Sequence, residues 1–150
     1  MAYVLKGRPS GCIACDALAE GVGLRSLVLH RGETAFVMLN RYPYNTGHLM
    51  VCPVRHLKDL GEMTDAELLE TTRLVARCAD LLRRTMNAAG INAGLNLGAA
   101  SGGSVDHRHF HVVPRWVGDT NFMPVIGGTK TLVEMLDGTW NRLRKEVASW

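Results

Sequence analysis

The apolar positions of this chain fall into two short continuous runs and one long helical pattern. Thr34 to Asn40 and His48 to Pro53 are strand-length apolar runs. Between them Arg41 to Gly47 reads as a turn punctuated by Pro43 and Gly47. The pair predicts a β-hairpin. Thr64 and Glu67 then form a capping-box signature at the start of a long helix. Its apolar stripe reads as Leu68, Val75, Ala79, Leu82 and Met86, with Glu70, Arg73, Arg77, Asp80 and Arg84 on the wet face. Gly90 follows as a C-cap. Ile91 to Leu97 reads as a third strand and Val105 to Arg115 as a fourth. Thr131 and Glu134 mark a second capping box, opening a terminal helix towards Val147. Residues 1–20 read as irregular, ending in a short helical stretch after Cys15. Antiparallel strands with helices on one face make an α+β domain.

Composition narrows the class. The 150 residues suit one domain, 1–150, with a real core. Hydrophobic residues make up 47%, yet no segment is a long uncharged apolar run, so no membrane span or membrane partner is expected. Met1 to Gly11 lacks the apolar stretch of a signal peptide, and the expected location is cytoplasmic. A formal charge of +3 suits anionic small molecules and gives little ground for a nucleic-acid partner. In that compartment the four cysteines are not expected to pair. Cys52 and Cys78 read as packing residues, and His30 as a surface residue. Cys12-Ile13-Ala14-Cys15 reads as one half of a thiolate metal site. Alone that motif is weak, since redox pairs and chance share it.

The densest chemistry lies in Asp106-His107-Arg108-His109-Phe110-His111, followed by Val112-Val113-Pro114-Arg115-Trp116. On a strand, imidazoles at i, i+2 and i+4 share one face about 6.5 Å apart. Such a row offers nucleophiles, proton carriers or metal ligands. The segment Asn96 to Ser104 immediately before it is glycine-rich. Its backbone N–H groups can approach an anion closely, and Ser104 adds a hydroxyl donor. Elsewhere the same composition makes an ordinary hairpin loop.

This segment resembles the histidine-triad (HIT) pattern, His-x-His-x-His-x-x with apolar x, whose members are nucleotide hydrolases and transferases. The continuation from Val112 to Pro124 is most similar to the diadenosine polyphosphate phosphorylase and hydrolase branch. The resemblance extends from about Thr34 to Ile126. Arg108 departs from it, at a position usually apolar, and is expected to point away from the histidine face. The resemblance implies a HIT-like antiparallel sheet with a long helix and a C-terminal helix. It implies that His109 is the nucleophile at an α-phosphorus, oriented by a bond to the His107 carbonyl. A neutral imidazole attacks an anhydride without adding negative charge. His111 is implied to contact the phosphate and assist the leaving group, and His48 to sit beside the phosphates. Asn40 is implied to bind ribose, Asn96, Gly103 and Ser104 to line the phosphate path, and Trp116 to lie near the polyphosphate or second nucleoside. Asn40 reads equally as a strand-ending turn residue, and Trp116 as a packing residue. His56 and His107 match positions that complete Cys12 and Cys15 as ligands of a structural zinc.

The expected function is cleavage of dinucleoside polyphosphates through a nucleotidyl-histidine, with inorganic phosphate as the favoured acceptor. Hydrolysis of the same substrates, an adenosine phosphoramidase and a non-catalytic nucleotide sensor stand as alternatives. A sugar-phosphate nucleotidyltransferase is disfavoured because that branch replaces the third histidine with glutamine. DNA-end processing is disfavoured because no basic module is visible. A homodimer is expected: histidine-triad relatives pair, and the helix from Thr64 to Ala89 offers more apolar surface than a small sheet covers.

Overall fold

The computed structural model of the chain describes residues 11–103, 105–121, 126–129 and 132–150. Five strands form one sheet among these residues: β1 (Val28–Arg31), β2 (Ala35–Leu39), β3 (Leu49–Pro53), β4 (Gly90–Gly94) and β5 (Phe110–Arg115). Their order is β1-β2-β3-β5-β4, with every neighbouring pair antiparallel. Among the described residues three α-helices accompany the sheet: α1 (Ile13–Glu20), α2 (Asp65–Met86) and α3 (Leu136–Val147). This is the expected α+β architecture. Among the described residues no helix is long and apolar enough to cross a membrane.

β2 and β3 are apolar throughout because both sheet faces are covered. Val37, Leu39, Leu49 and Val51 pack with Leu74, Cys78, Leu81 and Leu82 of α2. Phe36, Met38, Met50 and Cys52 point the other way and pack with Ala14 and Ala17 of α1. Helices therefore lie on both faces, where the sequence reading placed them on one. Eight residues of α1 are too few for a helical period to stand out. Cys52 and Cys78 are fully buried, as packing residues should be.

The capping box of α2 forms as expected. Thr64 Oγ1 accepts from Glu67 N–H at 3.3 Å, and Glu67 Oε2 accepts from Thr64 N–H at 2.8 Å. The buried seam is rotated from the expected stripe. It runs through Glu67, Thr71, Leu74, Cys78, Leu81 and Leu82, while Leu68, Val75, Ala79 and Met86 are half-buried. Polar residues in the seam disguised it. Glu67 is buried because Arg55 grips both carboxylate oxygens, at 3.0 and 2.9 Å. Glu70 is likewise not a wet-face residue. Its carboxylate accepts from the N–H groups of Glu33, Thr34 and Ala35 and so holds the β1–β2 turn.

Other boundaries shift. Asn87, at φ 51, caps α2 in the left-handed region, and Gly90 instead begins β4. β4 ends at Gly94 rather than Leu97, and β5 begins at Phe110 rather than Val105. His107 and His109 thus precede the ladder. α3 begins at Leu136. Thr131 of the expected second capping box lies outside the described residues, and Glu134 accepts from Thr139 Oγ1 and Arg142 Nη2 instead. β1 went unanticipated. It carries His30, which is half-buried against the Trp150 ring at 5.6 Å and is no surface residue.

Candidate active site and metal centre

The β3–β5 register sets the site. Met50 pairs with His111 and Leu49 with Val112. Val112 joins the core under α2, so His111 lies on the opposite face, with Met50. On the next strand Gly94 pairs with His111. A side chain at Gly94 would meet nothing within 4 Å, so the space beside His111 stays open.

Cys12, Cys15, His56 and His107 converge, with one ligand atom from each lying within 4.8 Å of all the others. Cys12 precedes α1 and Cys15 sits in its first turn, which brings the two thiols together. His107 Nδ1 lies 3.4 Å from both sulfurs, and His56 Nδ1 lies 3.4 Å from Cys15 Sγ. Zinc bonds of about 2.3 Å to sulfur and 2.0–2.1 Å to nitrogen give tetrahedral edges of roughly 3.5 Å, so the donor set fits. His107 Nε2 lies 2.8 Å from the Pro53 carbonyl, which only accepts. That bond places the proton on Nε2 and leaves the Nδ1 lone pair facing the sulfurs. Burial, then Cys12, pushes the Cys15 thiol up to about 11. Thiolates there need a cation beside them at neutral pH.

His109 has the reverse arrangement. Its Nδ1 lies 2.7 Å from the His107 carbonyl, so the proton sits on Nδ1 and Nε2 keeps a lone pair. Burial lowers its pKa, against the opposing pull of that carbonyl; Arg108 adds to the lowering. The His111 ring stands 4.7 Å away at 82°. His48 is fully buried beside it, with Nε2 2.9 Å from His111 Nδ1. The Tyr44 backbone N–H donates to His48 Nδ1 at 3.0 Å. Nδ1 is therefore an acceptor, His48 donates through Nε2–H, and His111 accepts at Nδ1. A neutral His111 then presents Nε2–H outward. Burial, then His109, pushes its pKa down to about 4, so it is neutral at neutral pH. Asn40 Nδ2 lies 3.3 Å from His48 Nδ1, while Asn40 Oδ1 accepts from Tyr42 N–H.

His111 opens into a groove of about 510 Å³ whose walls include Tyr44, Asn92, Gly94, Asn96, Arg115 and Thr120. The glycine-rich loop beside it is bonded to itself. Gly103 N–H donates to the Gly98 carbonyl at 3.1 Å, and Ser101 Oγ donates to the carbonyls of Leu97 and Gly98. Gly103 is thus committed to the turn, and a Cβ there would lie 2.8 Å from Gly98 O. Its expected N–H contact to phosphate is not available in this conformation. Ser104 lies outside the described residues.

The structure brings together His48, His109, His111, Asn40 and Asn96, and separately the four metal-type ligands. Trp116 is not among them. Its Nε1–H donates to the Met86 carbonyl at the end of α2, and its ring packs on the core. Arg108, at a position where the resemblance has an apolar residue, is buried. Sequence reasoning missed Tyr44, whose ring lies 4.5 Å from His48 and 5.5 Å from His111. It also missed Asp119. That carboxylate accepts from Arg115 Nε and Nη2 at 2.6 and 2.7 Å and from Asn45 Nδ2 at 2.9 Å. The Arg115 guanidinium holds the Asp119 carboxyl well below the usual carboxylate range.

A sheet that lays a locked histidine pair beside a glycine-rich turn defines the class, and the comparisons agree. A family model, the HIT domain, matches residues 24–117, and the chain belongs to the HIT family. It is 43% identical over 123 residues to the AP-4-A phosphorylase of Mycobacterium tuberculosis (strain ATCC 25618 / H37Rv), covering 81% of this chain and 63% of that relative. The chain thus spans less than two thirds of that relative's length. It is 29% identical over 90 residues to the asymmetrical bis(5'-nucleosyl)-tetraphosphatase of Schizosaccharomyces pombe, covering 60% and 50% of the two chains. Among solved structures, a Zn-bound histidine triad family protein from Mycobacterium smegmatis superposes with a TM-score of 0.75 at 24% identity, covering 93% and 94%. That likeness shows the fold.

Proposed function

We propose that this chain cleaves dinucleoside polyphosphates of the diadenosine tetraphosphate kind through a nucleotidyl-His109 intermediate, with inorganic phosphate as the favoured acceptor. One observation carries the reading: His109 is locked with its Nε2 lone pair free, beside a His111 held neutral with Nε2–H outward. His109 Nε2 attacks the α-phosphorus, and the P–O bond to the leaving nucleotide breaks. His111 gives a hydrogen bond to a phosphate oxygen rather than a proton, because a neutral imidazole N–H is a poor acid. The acceptor then takes the nucleotidyl group and restores His109. Phosphate yields ADP, and water yields AMP. The name AP-4-A phosphorylase of the M. tuberculosis relative supports phosphate, and the S. pombe tetraphosphatase keeps water in view. Asn40 remains the candidate for the ribose, and Asn96 and Ser104 for the phosphate path. Gly103 shapes that loop. Trp116 serves the substrate only from the second-nucleoside side.

Cys12, Cys15, His56 and His107 would hold zinc, which would pin α1 to the segment carrying His109. The Zn-bound M. smegmatis neighbour supports this choice of metal. The homodimer also belongs to this proposal, on different grounds from those expected. The apolar seam of α2 is covered by the chain's own sheet, but β4 is an edge strand whose residues Asn92 to Gly94 are exposed. An open edge of that kind suits a second copy.

The test is product identity. Diadenosine tetraphosphate with millimolar phosphate should give ATP and ADP. ATP with AMP as its sole partner makes the protein a hydrolase, and no cleavage at all rejects the enzymatic reading.

A further inference from the structure

Arg108 is the one lysine or arginine buried among the described residues, with 5% of its surface exposed. Its Nη1 donates to the Asn96 carbonyl at 2.5 Å and its Nη2 to the Lys58 carbonyl. Its Nε is buried with no partner. No carboxylate pairs with it among the described residues. The adjacent acid, Asp106, is turned to Lys58 Nζ at 3.3 Å. Carbonyls satisfy N–H directions but carry no net charge. A guanidinium stays protonated, and burying it without a counter-ion is costly.

The position of this charge gives it a use. Asn96 lines the groove with His111, and Arg108 grips Asn96 by its carbonyl. The same carbonyl lies 3.4 Å from where a Gly103 side chain would begin. Arg108, Asn96 and the closing glycine of the loop are thus packed in one stack. An anion in the groove that Asn96 lines with His111 would feel the guanidinium through protein rather than water, where attraction is stronger and salt screens less.

We propose that Arg108 is a positioning and specificity-determining residue, which fixes the loop at Asn96 and makes the groove select nucleotides by their number of phosphates. This rests on the nucleotide reading above. Arg108 acts without touching the reacting atoms, through the Asn96 backbone and through its field. Lysine can supply the charge, but a single ammonium is a poor bridge between two fixed carbonyls.

The test is a binding series, by calorimetry, of adenosine, AMP, ADP and ATP to the metal-loaded wild type and to Arg108→Met, Arg108→Gln and Arg108→Lys. Wild-type affinity should rise with each added phosphate. Arg108→Met should flatten the series, weakening ATP by about tenfold or more and adenosine by no more than about twofold. Arg108→Gln keeps a donor for Asn96 but no charge, and should flatten it equally even where the Met variant fails to fold. Arg108→Lys should restore most of the slope. A neutral variant that keeps the wild-type slope, or that loses adenosine and ATP in equal proportion, overturns the inference. Wild type that binds none of the four overturns the nucleotide reading itself, and this inference with it.

Discussion

His107 and His109 stand two residues apart in one segment and are held in opposite senses. His107 gives its Nε2 proton to the Pro53 carbonyl and turns Nδ1 towards two thiols. His109 donates from Nδ1 to the His107 carbonyl and keeps the Nε2 lone pair. Neither residue type nor spacing distinguishes the proposed ligand from the proposed nucleophile. The backbone oxygen that takes the ring proton does. The two halves are also coupled, since the carbonyl that locks the second ring belongs to the first.

The sharpest break in that comparison is His109→Ala. Turnover of diadenosine tetraphosphate should fall by several orders of magnitude, on the order of ~10⁴-fold or more, because the covalent route is gone. Nucleotide affinity by calorimetry should stay within about threefold, since ribose and phosphate contacts remain. Activity within a factor of ten of wild type would place the nucleophile elsewhere. His48→Phe should cost less, on the order of ~10²-fold in kcat, by removing the donor that fixes His111. Zinc content should not change in that variant, and a parallel loss of metal would show the two halves to be one unit.

Cys12→Ser addresses the other half. Metal per chain should fall and Tm should drop by about 5–10 °C, with kcat reduced less than tenfold. A loss of kcat as large as that of His109→Ala would mean that the metal takes part in the chemistry. The smallest effect concerns pH. His111 has its pKa lowered from 6.5 to about 4 in the folded chain. Below 6.5 the unfolded chain binds a proton that the native chain refuses. The stability is therefore complete above pH 6.5 and is lost as pH falls towards about 4. Melting across that window should show His111→Phe losing less Tm than wild type, and identical slopes would remove His111 from the account.

The same contrast explains what could be read from the sequence. The apolar runs of β2 and β3, the capping box at Thr64 and the two chemical motifs are local, and each is visible within a few residues. The face of α2 was misread because Glu67 and Thr71 are polar yet buried, held by Arg55 and by packing that only the fold supplies. β1 is four residues long and ends in His30 and Arg31, so it lacks an apolar signature. Asn45 reaches Pro114 and Asp119, and Tyr44 reaches His111, only because β3 pairs with β5. The Pro53 carbonyl that sets the His107 proton and the Tyr44 N–H that sets the His48 proton are backbone groups, which no side-chain pattern records.

Gly94 faces His111 across the ladder, with open space where a side chain would start. Part of the opening beside His111 is therefore kept by the missing side chain of Gly94, on a strand that supplies none of the histidines. Alanine, then valine, would narrow it in steps while the ligands, the locked tautomers and the turn at Gly98 stayed in place. Were the proposed reaction to run at this site, the width of its opening and the chemistry of its histidines would lie on different strands and could change independently.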